Sequence, residues 1–209
     1  MSNQLKNELH NVISGKSQVR HGGIIQTIAN YLNQGARTSP KTEYSKQYKA
    51  EETERLKLFI EGNNLWVEID LNQYVSEGAE QKVYLKDTAS VYKLNDSIYY
   101  ASWHDYFINL LLHNFFFSDT AYQLIGFAKV EDVLFAVVEQ AFVINTESTD
   151  LNRVRRFLSE NGFQNIKNND YYNPSLGIII EDLHDENVLT KNNILYFIDT
   201  VFYITENFH

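Results

Sequence analysis

The stretch GIIIEDLHDENVLTKNNILYFIDTVFYI (177–204) decides how this chain is read. Its first apolar run, 177–180, reads as a strand, and the run 194–204 reads as a strand pair or hairpin. Between them lies the polar loop EDLHDENVL. Asp182 stands near the start of that loop, Asn187 five positions on, and Asp199 twelve residues later in the second run. An acidic residue, an amide and a second carboxylate so spaced can converge on one point. Every candidate ligand there is oxygen, so a metal held by them would be a hard one.

Working outward, the upstream sequence has strand character. LWVEID (65–70) alternates apolar and polar residues, as do KVYL (82–85) and SVYKL (90–94) across the turn-like KDTA. An apolar helix is expected over 99–116, capped by Asp96, and strands follow at 121–127 and 133–143 around a short turn at 129–132. Five strands with one helix inserted after the third predict a mostly antiparallel α+β fold. Beyond 143, Thr149 is the expected N-cap of a helix that buries Leu151, Val154, Phe157 and Leu158 and stops at Gly162. The first seventy or so residues read as helical and peripheral. Ile24, Ile25, Ile28, Tyr31 and Leu32 recur at helical spacing before Gly35; a polar loop runs over 35–50; and a second helix from about Glu51 carries Leu56, Phe59 and Ile60 to Gly62. The implied organisation is a helical extension (1–64), a sheet-bearing lobe (65–143) and a small C-terminal unit (144–209).

Composition narrows the classes of function. With 209 residues, 44% of them hydrophobic, the chain can build a core of its own. The absence of Cys removes disulfide scaffolds, thiolate zinc sites and thiol nucleophiles. A net charge of −9 argues against general nucleic-acid binding, which uses a basic face. The acids are concentrated: from 175 onward six Asp and Glu stand against Lys191 alone, which suits either solvated surface or a cation-binding region. The N-terminus MSNQLKNELHNV is polar, and the most apolar stretches fall short of the ~20 residues of a membrane span. A soluble, cytoplasmic protein is expected. No G-x-S-x-G elbow, P-loop or G-x-G-x-x-G fingerprint is present.

The sequence DLHDENVL with FID after it resembles the catalytic loop and metal-binding segment of the protein-kinase-like superfamily. His184, two places after Asp182, makes the loop similar to that of aminoglycoside and small-molecule phosphotransferases. Taken together, GAEQKVYL, VYKLND, LLLHN, DLHDENVL and YFIDTVF most resemble the kinase-like domain of polyvalent proteins of bacterial mobile elements, over roughly 76–205. The resemblance implies a protein-kinase-like fold, with a five-strand N-lobe, one inserted helix and a minimal, truncated C-lobe. It implies an ATP- and Mg2+-dependent phosphotransferase acting on a hydroxyl acceptor. Lys93 then contacts the α- and β-phosphates, Gly78 belongs to the phosphate-covering loop, and Glu139 to Ala141 form the adenine-reading hinge. Asp182 orients the acceptor hydroxyl, while Asn187 and Asp199 hold Mg2+. His184 is expected to hold the loop by hydrogen bonds, and His104 and His113, nine apart on the apolar helix, to take core-packing or helix-surface positions rather than to pair as metal ligands.

Several positions depart from the kinase pattern. Ser76 and Gln81 stand where the phosphate-covering loop usually has Gly, and Glu80 adds a negative charge. The helix 99–116 has no Glu to pair with Lys93, and Thr-Val follows Asp199 in place of Phe-Gly. Only ten residues come after Asp199. These departures give the alternative its content: a degenerate kinase fold, or pseudokinase, that binds nucleotide or a protein partner without transferring phosphate. A scaffold keeping the strand order for stability alone is the third reading.

Overall fold

The computed structural model describes residues 2–34, 45–78 and 81–208. Three N-terminal helices, α1 (Ser2–Ile13), α2 (Gly22–Asn33) and α3 (Ser45–Gly62), precede a sheet of β1 (Tyr74–Glu77), β2 (Lys82–Leu85), β3 (Ser90–Asn95), β4 (Gln123–Val130) and β5 (Val133–Ala141). Helix α4 (Trp103–Phe116) is inserted between β3 and β4. The remainder holds α5 (Leu151–Glu160) and the short strands β6 (Gln164–Lys167), β7 (Asp170–Asn173), β8 (Ile178–Glu181), β9 (Val188–Lys191), β10 (Ile194–Phe197) and β11 (Val201–Ile204).

The five-strand sheet is antiparallel, in the order β1-β2-β3-β5-β4. Its faces differ. Leu134, Ala136 and Val138 turn toward α4 and the C-terminal strands, whereas Leu94, Phe135 and Val137 pack a smaller cluster on the outer face. Helix α4 is buried along almost its whole length, from Trp103 through Asn114, as expected of a helix that is apolar nearly all round. Its N-terminus is closed by Ser102, whose Oγ accepts from the Asp105 amide and donates to the Asp105 carboxylate. The N-terminal helices are not peripheral: Leu9, Val12, Ile25, Ile28, Leu32, Leu56 and Ile60 are all essentially inaccessible and share one core with α4 and the C-terminal strands. At Gly22, a Cβ would meet Val19 Cγ1 at 2.3 Å and Leu111 at 3.3 Å, so glycine permits the close approach of α2 to α4.

Several sequence expectations are corrected. Residues 65–70 are not a strand; they form one parallel bridge, Trp66 to Phe127, with Val67 N donating to Phe127 O and Phe127 N to Leu65 O (both 2.8 Å). Val67 and Ile69 do pack on the outer face, which explains the alternation, but Asp70 then caps a short 3-10 turn at Leu71–Gln73. The first strand of the sheet is therefore β1. Asp96 does not cap α4: its carboxylate accepts from Ile98 N in a local turn, and the helix starts at Trp103 behind Ser102. Asp150, not Thr149, caps α5, while Thr149 Oγ1 donates to Val188 O. The expected loop over 35–50 gives way to helix from Ser45, and the rest of it, with Gly35, falls outside the described residues. The run 194–204 is not a hairpin. Strand β10 pairs with β9 and β11 with β8, so the chain changes sheets at Ile198-Asp199-Thr200.

Candidate active site

Lys93 lies on the inner face of β3, opposite Val83 on one side and Val138 on the other. It is only 4% exposed. Its ammonium donates to Ile198 O at 2.8 Å, stands 3.9 Å from Asp199 Oδ2 and lies 5.5 Å from the centre of the Tyr122 ring. Burial pushes this lysine below its ordinary range, and the Asp199 charge acts in the opposite direction. Asp199 is thus the carboxylate that faces Lys93. The acid on α4, Asp105, is engaged with Ser102 instead.

Asn187 joins the group through its backbone: its carbonyl accepts from Ile198 N at 2.9 Å and Asp199 N at 3.4 Å. Its side-chain amide donates to both Asp182 O and Asp182 Oδ2 at 2.9 Å. Those bonds turn Nδ2 toward Asp182 and leave the Oδ1 acceptor out of them. Asp182 sits at φ 66, a left-handed conformation that Asp and Asn tolerate better than most residues. His184 closes the loop as expected. Its Nδ1 accepts from Glu186 N at 3.3 Å, and its Nε2 lies 3.2 Å from Asn187 Nδ2 and 3.3 Å from Asp182 Oδ1.

The structure therefore brings Lys93, Asp199, Asn187 and Asp182 into one chain of contacts. Gly78 N donates to Gln81 O at 3.0 Å, closing the β1–β2 turn, and Gln81 Nε2 donates to Asp199 Oδ2. Glu80, read as an added charge in this loop, lies outside the described residues. A concavity lined by Gly78, Lys82, Leu94, Val130 and Phe135 lies on the outer face of the sheet, opposite Lys93. Glu139 also belongs to the outer face, where its carboxylate pairs with Lys86 at 2.7 Å. Ala141 lies opposite Ser90 at the end of β5.

The sequence reading missed the polar contacts that hold the 197–202 segment. Tyr122 OH donates to Ile198 O at 2.9 Å, and Thr120 Oγ1 to Phe197 O at 2.5 Å. Thr200 Oγ1 is 2.7 Å from His113 Nδ1, and Phe202 N donates to Asn109 Oδ1 at 2.8 Å. Glu52 was missed as well. Fully buried on α3, it accepts from Trp103 N at 2.7 Å and His104 N at 3.1 Å, satisfying the first turn of α4 from another helix. Burial raises its pKa, with those two amides acting against the shift. Nothing in the spacing of α3 marks this role, because the partner lies about fifty residues away.

Among the described residues no group of three or more His, Cys, Asp or Glu is placed to hold a metal. The residues that could hold a metal are Asp199, which offers a carboxylate, and Asn187, which offers an amide oxygen. An all-oxygen pair of this kind fits Mg2+, which keeps several waters and completes its shell with substrate phosphates. No helix among the described residues is long and apolar enough to cross a membrane.

An antiparallel five-strand sheet with one inserted helix, and a lysine on its third strand facing an Asp near the C-terminal strands, is compatible with a kinase-like fold. Residues 49–206 match the family described as Serine/Threonine/Tyrosine Kinase found in polyvalent proteins, and the chain belongs to that family. The match begins within α3, so it takes in Glu52 as well as the sheet. No curated protein and no solved structure matches the chain.

Proposed function

We propose that the chain is an ATP- and Mg2+-dependent phosphotransferase of the cytoplasm. The observation that carries the reading is the meeting of three elements: Lys93 from β3, Asp199 between β10 and β11, and Asn187 beneath both, its carbonyl bonded to the amides of Ile198 and Asp199. Lys93 neutralises the α- and β-phosphates, which is consistent with a buried ammonium held rigidly beside a carboxylate. Asn187 and Asp199 hold Mg2+, which supplies charge stabilisation on the transferring phosphoryl group. Gly78 and the β1–β2 turn lie over the phosphates, and the backbone of Glu139 to Ala141 meets the adenine. Asp182 accepts a hydrogen bond from the acceptor hydroxyl and orients its oxygen in line with the phosphorus. The partner is a nucleotide together with a hydroxyl-bearing acceptor; neither nucleic acid nor a membrane is called for.

Two observations favour a second reading, a pseudokinase that binds nucleotide or a protein without transfer. Gln81 occupies an oxygen of Asp199, and no glutamate on α4 meets Lys93. Turnover of γ-labelled ATP with Mg2+ separates the readings. The phosphotransferase reading expects label on an acceptor, on water or on the protein itself, and expects Asp182→Asn to slow this by on the order of 10²–10⁴-fold while ATP still binds. Asn keeps the left-handed backbone within reach, so a loss of turnover reports the carboxylate. ATP binding with no turnover in the unaltered protein favours the pseudokinase.

A further inference from the structure

We infer that His113 on α4 is a positioning residue that sets the Asp199 carboxylate for the metal by fixing Thr200. This deepens the phosphotransfer reading and rests on it.

The argument starts from the protons. His113 is completely buried. Its Nε2 lies 3.0 Å from Thr120 O, and a carbonyl only accepts, so Nε2 carries the ring proton. Nδ1 is then a bare acceptor, and the Thr200 hydroxyl at 2.7 Å must donate to it. The Thr120 hydroxyl in turn donates to Phe197 O at 2.5 Å. One neutral imidazole therefore brackets Asp199 on both sides, directly at Thr200 and through Thr120 at Phe197. Asn109, one helical turn before His113, accepts from Phe202 N at 2.8 Å and continues the same line of contacts. Aromatic faces close the bracket: Phe117 stacks on Phe197 at 4.1 Å and Phe116 on Phe202 at 5.5 Å between centroids.

The consequence concerns the carboxylate. Asp199 is part-exposed, with 31% of its side chain accessible, and lies in a stretch that belongs to no sheet. The hold at Thr200 fixes the backbone on the C-terminal side of Asp199 and completes the bonds that Asn187, Lys93 and Tyr122 make at Ile198 and Asp199. A carboxylate already fixed at its working position loses less freedom when a cation arrives, which raises metal affinity. A threonine after the metal-binding Asp has a physical use here: it offers a hydroxyl to a buried histidine.

The test compares Thr200→Val, which keeps the shape and removes the hydroxyl, with Thr200→Ser, which keeps the hydroxyl. Two readouts are needed. The first is the Mg2+ concentration at which ATP raises thermal stability. The second is hydrogen exchange at the amides of Ile198 and Asp199 in the ligand-free protein. The expected result for Thr200→Val is a Mg2+ midpoint higher by on the order of 10-fold, faster exchange at 198–199, unchanged exchange in β4 and β5, and recovery in Thr200→Ser. Nitrogen NMR of the unaltered protein, which does not depend on any variant folding, should find the His113 proton on Nε2. A proton on Nδ1 overturns the inference. So does a Thr200→Val protein with the wild-type Mg2+ midpoint and exchange, a result that leaves the phosphotransfer reading standing. No response of the unaltered protein to ATP and Mg2+ removes that reading and the inference with it.

Discussion

Residues 182–187 are bonded chiefly to one another at the protein surface, whereas residues 197–202 pass through a polar seam between the sheet, α4 and the C-terminal strands. In the first stretch Asn187 holds Asp182, His184 N bonds Asp182 O, and these partners lie within five residues of one another. In the second, Thr120, Tyr122, Lys93, His113 and Asn109 all reach the segment from seventy to more than one hundred residues away. The difference assigns separate physical roles. Asp182, proposed to meet the acceptor, and the side chain of Asn187 are set by a local turn, whereas Asp199, the carboxylate proposed to meet the metal, is set by the tertiary structure. Changes at Asp182 should therefore alter turnover with little effect on folding, and changes in the seam should alter folding and metal affinity together.

The largest expected effect breaks the comparison at the loop. Asp182→Asn should reduce phosphate transfer by on the order of 10²–10⁴-fold with a melting temperature close to wild type, measured by labelled-ATP turnover and calorimetry. A second substitution undermines the helix that carries the seam. Glu52→Ala leaves the amides of Trp103 and His104 without their acceptor in a buried place, and should cost about 2–4 kcal/mol in denaturant unfolding. Glu52→Gln, which keeps one acceptor oxygen, should cost less.

The third prediction sharpens the seam through its titration. Burial holds His113 down to about 3, against an ordinary value of 6.5. Between these values the unfolded chain binds a proton that the folded chain refuses. This contribution to stability is therefore complete above the ordinary value and falls as pH drops, by about 2 kcal/mol at about pH 5. The check is unfolding at neutral and mildly acid pH in wild type and His113→Gln. The difference between the two slopes isolates the histidine from Glu52, whose raised pKa acts in the opposite sense. The smallest effect concerns the link between the β1–β2 turn and Asp199. Gln81→Gly removes the amide that occupies Asp199 Oδ2 and should lower the Mg2+ concentration needed for ATP binding about two- to fivefold, the worth of one ordinary hydrogen bond. A metal titration followed by thermal shift reads it.

How far the sequence shows this arrangement follows from the range of each interaction. Strands β2 and β3 are legible to within a residue, because their alternation and the KDTA turn are local. The β4–β5 connection is legible as a short turn, but β4 runs on to Val130, three residues past the expected end, and the turn is Glu131-Asp132 alone, both at positive φ. The alternation of 65–70 reports only that Val67 and Ile69 face apolar surface; it does not report a ladder, and the backbone forms a single bridge. Strands β6 and β7 carry little apolar signal, since all of 164–167 is exposed and the stretch is rich in Asn. The run 194–204 is apolar on both sides of Asp199-Thr200 and so says nothing of partners. Those are settled by β9, whose four residues VLTK give too short a pattern to mark a strand. The candidate residues Lys93, Asp182, Asn187 and Asp199 were legible by spacing and resemblance, whereas Gln81, His113, Thr120 and Thr200 act through contacts that no spacing encodes.

The central claim is that Lys93, Asn187 and Asp199 form one site for a nucleotide and its metal. Unfolding in the presence and absence of ATP and Mg2+, in wild type and Asp199→Ala, tests it most directly. At ligand one hundred times its Kd, the wild type should gain about 2.7 kcal/mol, with the gain dependent on Mg2+ and absent in Asp199→Ala. No gain in the wild type with any nucleotide and divalent cation, or an equal gain in Asp199→Ala, would contradict it.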